Sequence, residues 1–117
     1  MKIGNDVLEI DRFYDVSEKF ISRVYTENEI NYIQKFENRA EHLAGFFCVK
    51  EAVIKAFGED VSSLSLKDVE VLHFDNGKPY VKLYGDVLKI FKKIKGKKID
   101  ISISHSKTIA SAVAIIY

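Results

Sequence analysis

One cysteine, one proline, one methionine and no tryptophan occur among the 117 residues. The single thiol, Cys48, excludes an internal disulfide and any zinc centre built from several thiolates, so a packed core must hold the fold and Cys48 is expected to pack within it. Proline and glycine are too sparse for a linker, a collagen-like repeat or a low-complexity segment. No sign of charge dominates: the net charge is +1, which gives no global attraction to nucleic acid. No apolar run approaches the roughly 20 residues of a membrane helix. Met1 to Asp6 leads into mixed sequence without the apolar core of a secretory signal. A cytoplasmic protein with no membrane segment is expected.

What remains is the composition of a globular protein, 47% hydrophobic and 30% charged. The length predicts one domain over residues 1–117, large enough to bury roughly two-thirds of its unfolded surface. Ile3 to Ile10 reads as a strand, with an interruption expected near Asp6 because Gly4-Asn5-Asp6 breaks its β-branched run. Asp11 to Tyr25 has helical apolar spacing, as one helix or two short ones. Thr26-Glu27-Asn28-Glu29 matches a capping box, opening a helix to about Phe36. After a break near Asn38, a longer helix should run from about Arg39 to Phe57, stopped by Gly58 at its C′ position. Val69 to Phe74 and Pro79 to Leu83 alternate around the turn Asp75-Asn76-Gly77-Lys78 and predict a β-hairpin. Asp86 to Lys95 is amphipathic and is expected to end at Gly96. Ile99 to His105 and Ile109 to Tyr117 supply two final strands, the second lining either the core or an interface. The fold class is α+β, helices packed on an antiparallel sheet.

The chemically suggestive stretch is Phe47 to Gly58. At 3.6 residues per turn, Phe47, Glu51 and Lys55 share one stripe flanked by Ala44, Cys48 and Gly58, which is too apolar for a solvated face. An i,i+4 ion pair accounts for Glu51 and Lys55 on helix geometry alone. Asp6 and Glu51, however, each occupy a place that packing explains poorly, and together they suit a hard cation. Magnesium takes one or two protein carboxylates and completes its shell with water and phosphate oxygens. Lys55 would then face those phosphates, an arrangement suited to phosphoryl chemistry. Ser104-His105-Ser106 invites a nucleophile reading, but neighbours on a strand point to opposite faces. His105 is therefore a structural histidine or a phosphate ligand. His42 and His73 have no metal-ligand spacing and stay unassigned, as surface or packing residues. The lysines from Lys89 to Lys98 fit a solvated helix face or an RNA-tracking one.

These residues coincide with a family. Gly4-Asn5-Asp6-Val7-Leu8-Glu9-Ile10-Asp11-Arg12 resembles the N-terminal signature of the holo-acyl-carrier-protein synthases, the short phosphopantetheinyl transferases, and Phe47 to Gly58 resembles their second signature. Leu43-Ala44-Gly45, Asn76-Gly77-Lys78-Pro79 and Ile103-Ser104-His105-Ser106 follow in the family's order, so the resemblance covers nearly the whole chain. It implies Mg²⁺-dependent transfer of the phosphopantetheine arm of coenzyme A to a serine of apo acyl carrier protein, a step of fatty acid biosynthesis. It implies Asp6 and Glu51 as metal ligands, and Asp6, Glu51 and Lys55 as the catalytic set. Glu51, directly or through a water on the metal, is the first candidate base. Lys55, Gly77, Pro79, Ser104 and His105 match positions bordering coenzyme A. Arg12, Lys19 and Arg23 would meet the acidic carrier, on one face if their helix is continuous. The family also implies a homotrimer with sites between neighbouring subunits, and neither nucleic acid nor membrane as partner. The chain departs at Phe46, where the family often has Arg, so a phosphate contact would be missing, or would move to Arg39 or Lys107. The rival readings are a catalytically idle coenzyme A-binding module and an RNA-binding α+β module.

Overall fold

Small residues let one long helix lie directly on a sheet, and that contact organises the molecule. The computed structural model describes residues 1–58 and 63–117. Strand β1 (Lys2–Glu9) leads through a 3-10 turn (Ile10–Phe13) into the short helices α1 (Glu18–Val24) and α2 (Glu27–Ile33) and the long helix α3 (Arg39–Ala56). A second 3-10 turn (Leu66–Asp68) precedes strands β2 (Val69–His73) and β3 (Pro79–Leu83), helix α4 (Gly85–Lys93) and strands β4 (Ile99–His105) and β5 (Ile109–Ile116). The last two pair with β1 in an antiparallel sheet of order β1-β5-β4, while β2 and β3 form a separate hairpin sheet. Helices thus pack on antiparallel sheets, as expected.

The inner face of the larger sheet presents Gly4, Leu8, Ala110, Ala112, Ala114 and Ile116, all buried, to the buried Cys48, Val49, Ala52 and Val53 of α3. The expected interruption near Asp6 does not occur: β1 pairs with β5 residue by residue from Lys2 to Glu9, with Asp6 opposite Ala112. Gly4 serves a different purpose. A Cβ there would lie 2.1 Å from the carbonyl oxygen of Ala52 and 2.6 Å from the amide nitrogen of Ala56. Glycine is present because the helix backbone touches the strand backbone, and the strand itself stays regular.

β5 faces both ways. Ala110, Ala112, Ala114 and Ile116 point into the core, whereas Ile109 points outward, on the sheet face that also carries the exposed Ile3 and Val7 of β1. The region between β1 and α2 is two short pieces, a 3-10 turn and then α1, capped by Ser17, whose hydroxyl accepts from the Phe20 amide at 3.1 Å. The capping box at Thr26 is formed as read, but α2 stops at Ile33 short of Phe36, because the amides of Lys35 and Phe36 bond back three residues to Tyr32 and Ile33. α3 ends before Gly58, which takes φ +72°. α4 ends one residue earlier than expected at the left-handed position: Lys95, not Gly96, has φ +61°. The Gly96 and Lys95 amides bond to the Phe91 and Lys92 carbonyls, closing a Schellman motif. Along α4, Val87 is buried and Lys89 and Lys92 are exposed, the pattern of a solvated lysine face.

The packing at Gly4 yields a direct expectation. Gly4→Ala forces a methyl group into backbone that has no rotamer to yield, so the variant should lose about 3 kcal/mol or more of unfolding free energy. Urea denaturation checks this, and a wild-type midpoint would contradict the close approach.

Candidate active site

Asp6 shares the inward row of β1 with Gly4 and Leu8, so the contact that fits Gly4 against Ala52 also sets Asp6 beside the next turns of α3. Lys55 Nζ lies 2.9 Å from Asp6 Oδ1. Among the described residues the ion pair of Lys55 is therefore with Asp6 on the sheet, and the within-helix pair with Glu51 is not the one formed. Glu51 is half-buried, and burial, then the neighbouring Asp6 charge, raises its pKa above the ordinary 4.5, with Lys55 opposing. The hydrogen bond to Asp6 raises the pKa of Lys55 against desolvation, and the charges of Asp6 and Glu51 add to the rise. Lys55 is thereby held as a permanent cation, half-exposed at the mouth of the site.

The donor chemistry fits a hard cation. Asp6 and Glu51 interact, and no group of three or more His, Cys, Asp or Glu side chains among the described residues is placed to hold a metal ion by itself, which leaves most of an octahedral shell to water and substrate oxygens. Cys48 sits next to Asp6. Its thiol donates to the Ala110 carbonyl at 3.5 Å, and burial, followed by the charge of Asp6 and a hydrogen bond to it, pushes its pKa up to about 12. Such a thiol packs and is not a nucleophile, as expected for this residue. Phe47 stacks against Phe20 and lies 5.5 Å from Phe13, fastening α1 and the first 3-10 turn to α3.

A second feature lies elsewhere on α3. A cavity of about 360 Å³ has one wall from α2 and the first turns of α3 (Tyr32, Glu41, His42, Gly45, Phe46) and a second from the hairpin (His73, Gly77, Lys78, Pro79). Ile101 to Ile103 and His105 of β4 complete it. The tip of the hairpin is built by turn chemistry: Gly77 has φ +88°, and Asn76 Oδ1 accepts from the Lys78 amide at 3.0 Å. Gly77, Pro79 and His105 thus come together, whereas Ser104 and Lys55 do not line this cavity. His105 Nδ1 lies 3.4 Å from the carbonyl of Ser106 and 3.9 Å from Glu41 Oε2. Neither Arg39, 3.8 Å from Glu18, nor Lys107 replaces Phe46 on the wall; Lys78 is its lysine. Phe46 is buried within an aromatic group in which the rings of Tyr32 and His73 stack at 4.0 Å, 4° apart, and His42 stacks on Phe36 at 4.2 Å. Burial, and then the charge of His42, lowers the pKa of His73. His42 and His73 are therefore packing residues that also line a cavity.

Lys50 and Glu29 were not legible as functional. Both are fully buried and paired at 2.8 Å. Lys50 Nζ also donates to the carbonyls of Val69 (2.6 Å) and Leu66 (3.1 Å), while Glu29 Oε2 accepts from the Val71 amide at 2.8 Å. Desolvation lowers the pKa of Lys50 and Glu29 opposes it. Removing one partner alone would strand a buried charge, at a cost of about 3–5 kcal/mol. The available signal was position: Lys50 is one turn from both Phe46 and Ile54, on the apolar side of α3.

Arg12 lies on the first 3-10 turn and Lys19 and Arg23 lie one turn apart on α1, all exposed. The continuous helix that would align all three is absent, because Tyr14 to Ser17 interrupts it.

Residues 2–113 match the sequence profile of the 4'-phosphopantetheinyl transferase superfamily. The holo-[acyl-carrier-protein] synthase of Fusobacterium nucleatum is 46% identical over 117 residues, covering 97% of this chain and 96% of that protein. The Clostridium tetani enzyme of the same name is 43% identical, covering 97% and 93%. Among solved structures, the holo-ACP synthase of Plasmodium yoelii superposes with a TM-score of 0.84 at 34% identity, covering 98% of this chain and 92% of that one. That of Bacillus anthracis, in complex with CoA (3',5'-ADP), gives 0.81 at 33% identity, covering 98% and 94%. With a profile match over almost its full length and relatives of this identity, the chain belongs to the holo-[acyl-carrier-protein] synthase family of the 4'-phosphopantetheinyl transferase superfamily.

Proposed function

We propose that this protein transfers the 4'-phosphopantetheine arm of coenzyme A to a serine hydroxyl of an apo acyl carrier protein, releasing adenosine 3',5'-bisphosphate. The observation that carries the proposal is the convergence of Asp6, Glu51 and Lys55 on the β1–α3 contact, in a chain whose relatives are holo-[acyl-carrier-protein] synthases. The serine oxygen attacks the β-phosphorus in line, its proton passes to Glu51, and the bond to the departing bisphosphate oxygen breaks. Burial and Asp6 raise the pKa of Glu51 in the metal-free site, whereas a bound cation would lower it, so the proton passes to Glu51 directly or through a water molecule. Lys55, kept protonated by Asp6, supplies fixed positive charge to the reacting phosphate. Asp6 and Glu51 would hold Mg²⁺, which when bound supplies charge neutralisation at the pyrophosphate. The adenosine end suits the cavity at Gly77, Lys78, Pro79 and His105, in keeping with the CoA complex of the Bacillus anthracis relative.

The carboxylates and the cavity belong to opposite edges of the order β1-β5-β4, with Asp6 on β1 and His105 on β4. One complete site is therefore assigned to two neighbouring copies, in a homotrimer that covers the outward Ile3, Val7 and Ile109. Arg12, with Lys19 and Arg23, is assigned to the acidic carrier surface. A cytoplasmic place in fatty acid biosynthesis follows from that substrate pair. No helix among the described residues is long and apolar enough to cross a membrane.

Intact mass of an apo carrier after incubation with coenzyme A and Mg²⁺ tests the proposal: the carrier should gain one phosphopantetheine, and a chelator should abolish the gain. No gain with carriers that relatives modify would refute it. Glu51→Gln should lower turnover by about 10²-fold or more at saturating Mg²⁺; near-normal turnover would remove Glu51 from the mechanism. Because burial and Asp6 raise the pKa of Glu51, its carboxyl in the metal-free protein should titrate above the ordinary glutamate value of 4.5 by NMR, and added Mg²⁺ should lower that midpoint; a midpoint at or below 4.5 without metal would contradict the site's electrostatics. Arg12→Glu should raise the carrier KM, with a strong dependence on salt, and an unchanged KM would exclude that surface.

A further inference from the structure

The cavity has two walls that no covalent connection holds at a fixed distance: the first turns of α3 and the β2–β3 hairpin. β2 pairs with β3 on one edge only. Within a strand the N–H and C=O of one residue point to the same edge, so Val69 and Val71, two residues apart, present the edge that no strand among the described residues covers. Lys50 takes the Val69 carbonyl at 2.6 Å and Glu29 Oε2 takes the Val71 amide at 2.8 Å, while Lys50 and Glu29 bond each other at 2.8 Å. The ion pair therefore occupies the place of a neighbouring strand. Two directional bonds at successive same-edge residues fix the strand's register as well as its distance, which apolar packing would leave free to slide.

Both ends of this link lead straight to the cavity. On the helix side, Lys50 is one turn beyond Phe46, and Glu41 to Phe46 form the first wall. On the strand side, β2 continues from Val71 to His73, and the hairpin tip brings Gly77, Lys78 and Pro79 to the second wall. Glu29 is itself held by the Thr26 amide at 2.8 Å, and the Thr26 hydroxyl bonds Glu70 at 2.6 Å, so the N-terminus of α2 is tied into the same node.

We propose that Lys50 and Glu29 are positioning residues for nucleotide binding: their buried pair sets the β2–β3 hairpin against α3 and so fixes the width of the cavity that receives the adenosine end of coenzyme A. The identity of that ligand rests on the proposed function; the mechanical role of the pair rests on the bonds described. Neither side chain touches the ligand, and the effect runs through the wall the pair holds in place.

Lys50→Met combined with Glu29→Leu removes both charges and leaves neither stranded, so the double variant separates positioning from stability. Calorimetry with adenosine 3',5'-bisphosphate should show wild-type binding and a Kd about tenfold or more weaker in the folded double variant. The KM for coenzyme A should rise in the same proportion while kcat stays within about threefold, a split that a general loss of structure would not produce. A folded double variant with wild-type Kd and KM would overturn the proposal. Glu29→Gln repeats the test without a change of shape: its amide nitrogen accepts no bond, so either Lys50 or Val71 loses its partner, and Kd should weaken several-fold. An unchanged Kd in folded Glu29→Gln would likewise overturn the proposal. Absence of nucleotide binding by the wild type would overturn the ligand assignment instead, and this inference with it.

Discussion

Gly4 of β1 lies against the backbone of α3 so closely that a single methyl group would collide with the Ala52 carbonyl. The other features of the site follow from that approach. It makes the inner face of the sheet a row of small residues, it brings Asp6 level with the turn carrying Cys48 and Glu51, and it places Lys55 where its ammonium pairs with Asp6 across the strand–helix boundary. The charge cluster of Asp6, Glu51 and Lys55 is thus set by a core contact, and rigid elements hold it.

The second organising interaction is electrostatic and lies on another side of α3. Lys50 and Glu29 are fully buried, and every polar bond they make ends on the α2 N-terminus or on the segment leading into the hairpin. A buried ion pair contributes little net stability against an apolar substitute, but it gives direction. Asp6 and Lys55 form the opposite kind of pair: partly exposed, cheap to rearrange, and open to a ligand that competes for either partner. One helix therefore carries a rigid, buried pair and an adaptable, partly exposed one.

Much of this was legible in the sequence. Local chemistry marked the hairpin through Asn76-Gly77, the start of α2 through its capping box, and the end of α3 through Gly58, because each signal is carried by a few adjacent residues. Asp6 and Glu51 were legible as acids that packing does not explain, but Gly4 was misread as a break in the strand, since a close approach by a distant helix leaves no local trace. The ends of α2 and α4 were displaced by local hydrogen bonds that tighten the last turn and by a lysine in a conformation usually left to glycine. Lys50 was not singled out, because its partner Glu29 lies 21 residues away and no local pattern joins them. The cavity was visible only in part, since Gly77, Pro79 and His105 were singled out by resemblance while Tyr32, His42 and His73 join it through folding.

A crystal structure of the protein with coenzyme A and Mg²⁺ tests the account most directly. The account predicts the metal between Asp6 and Glu51 of one copy and the adenosine end in the cavity beside Gly77, Pro79 and His105 of its neighbour. Coenzyme A lying wholly on one chain, or a metal held without either carboxylate, would contradict it.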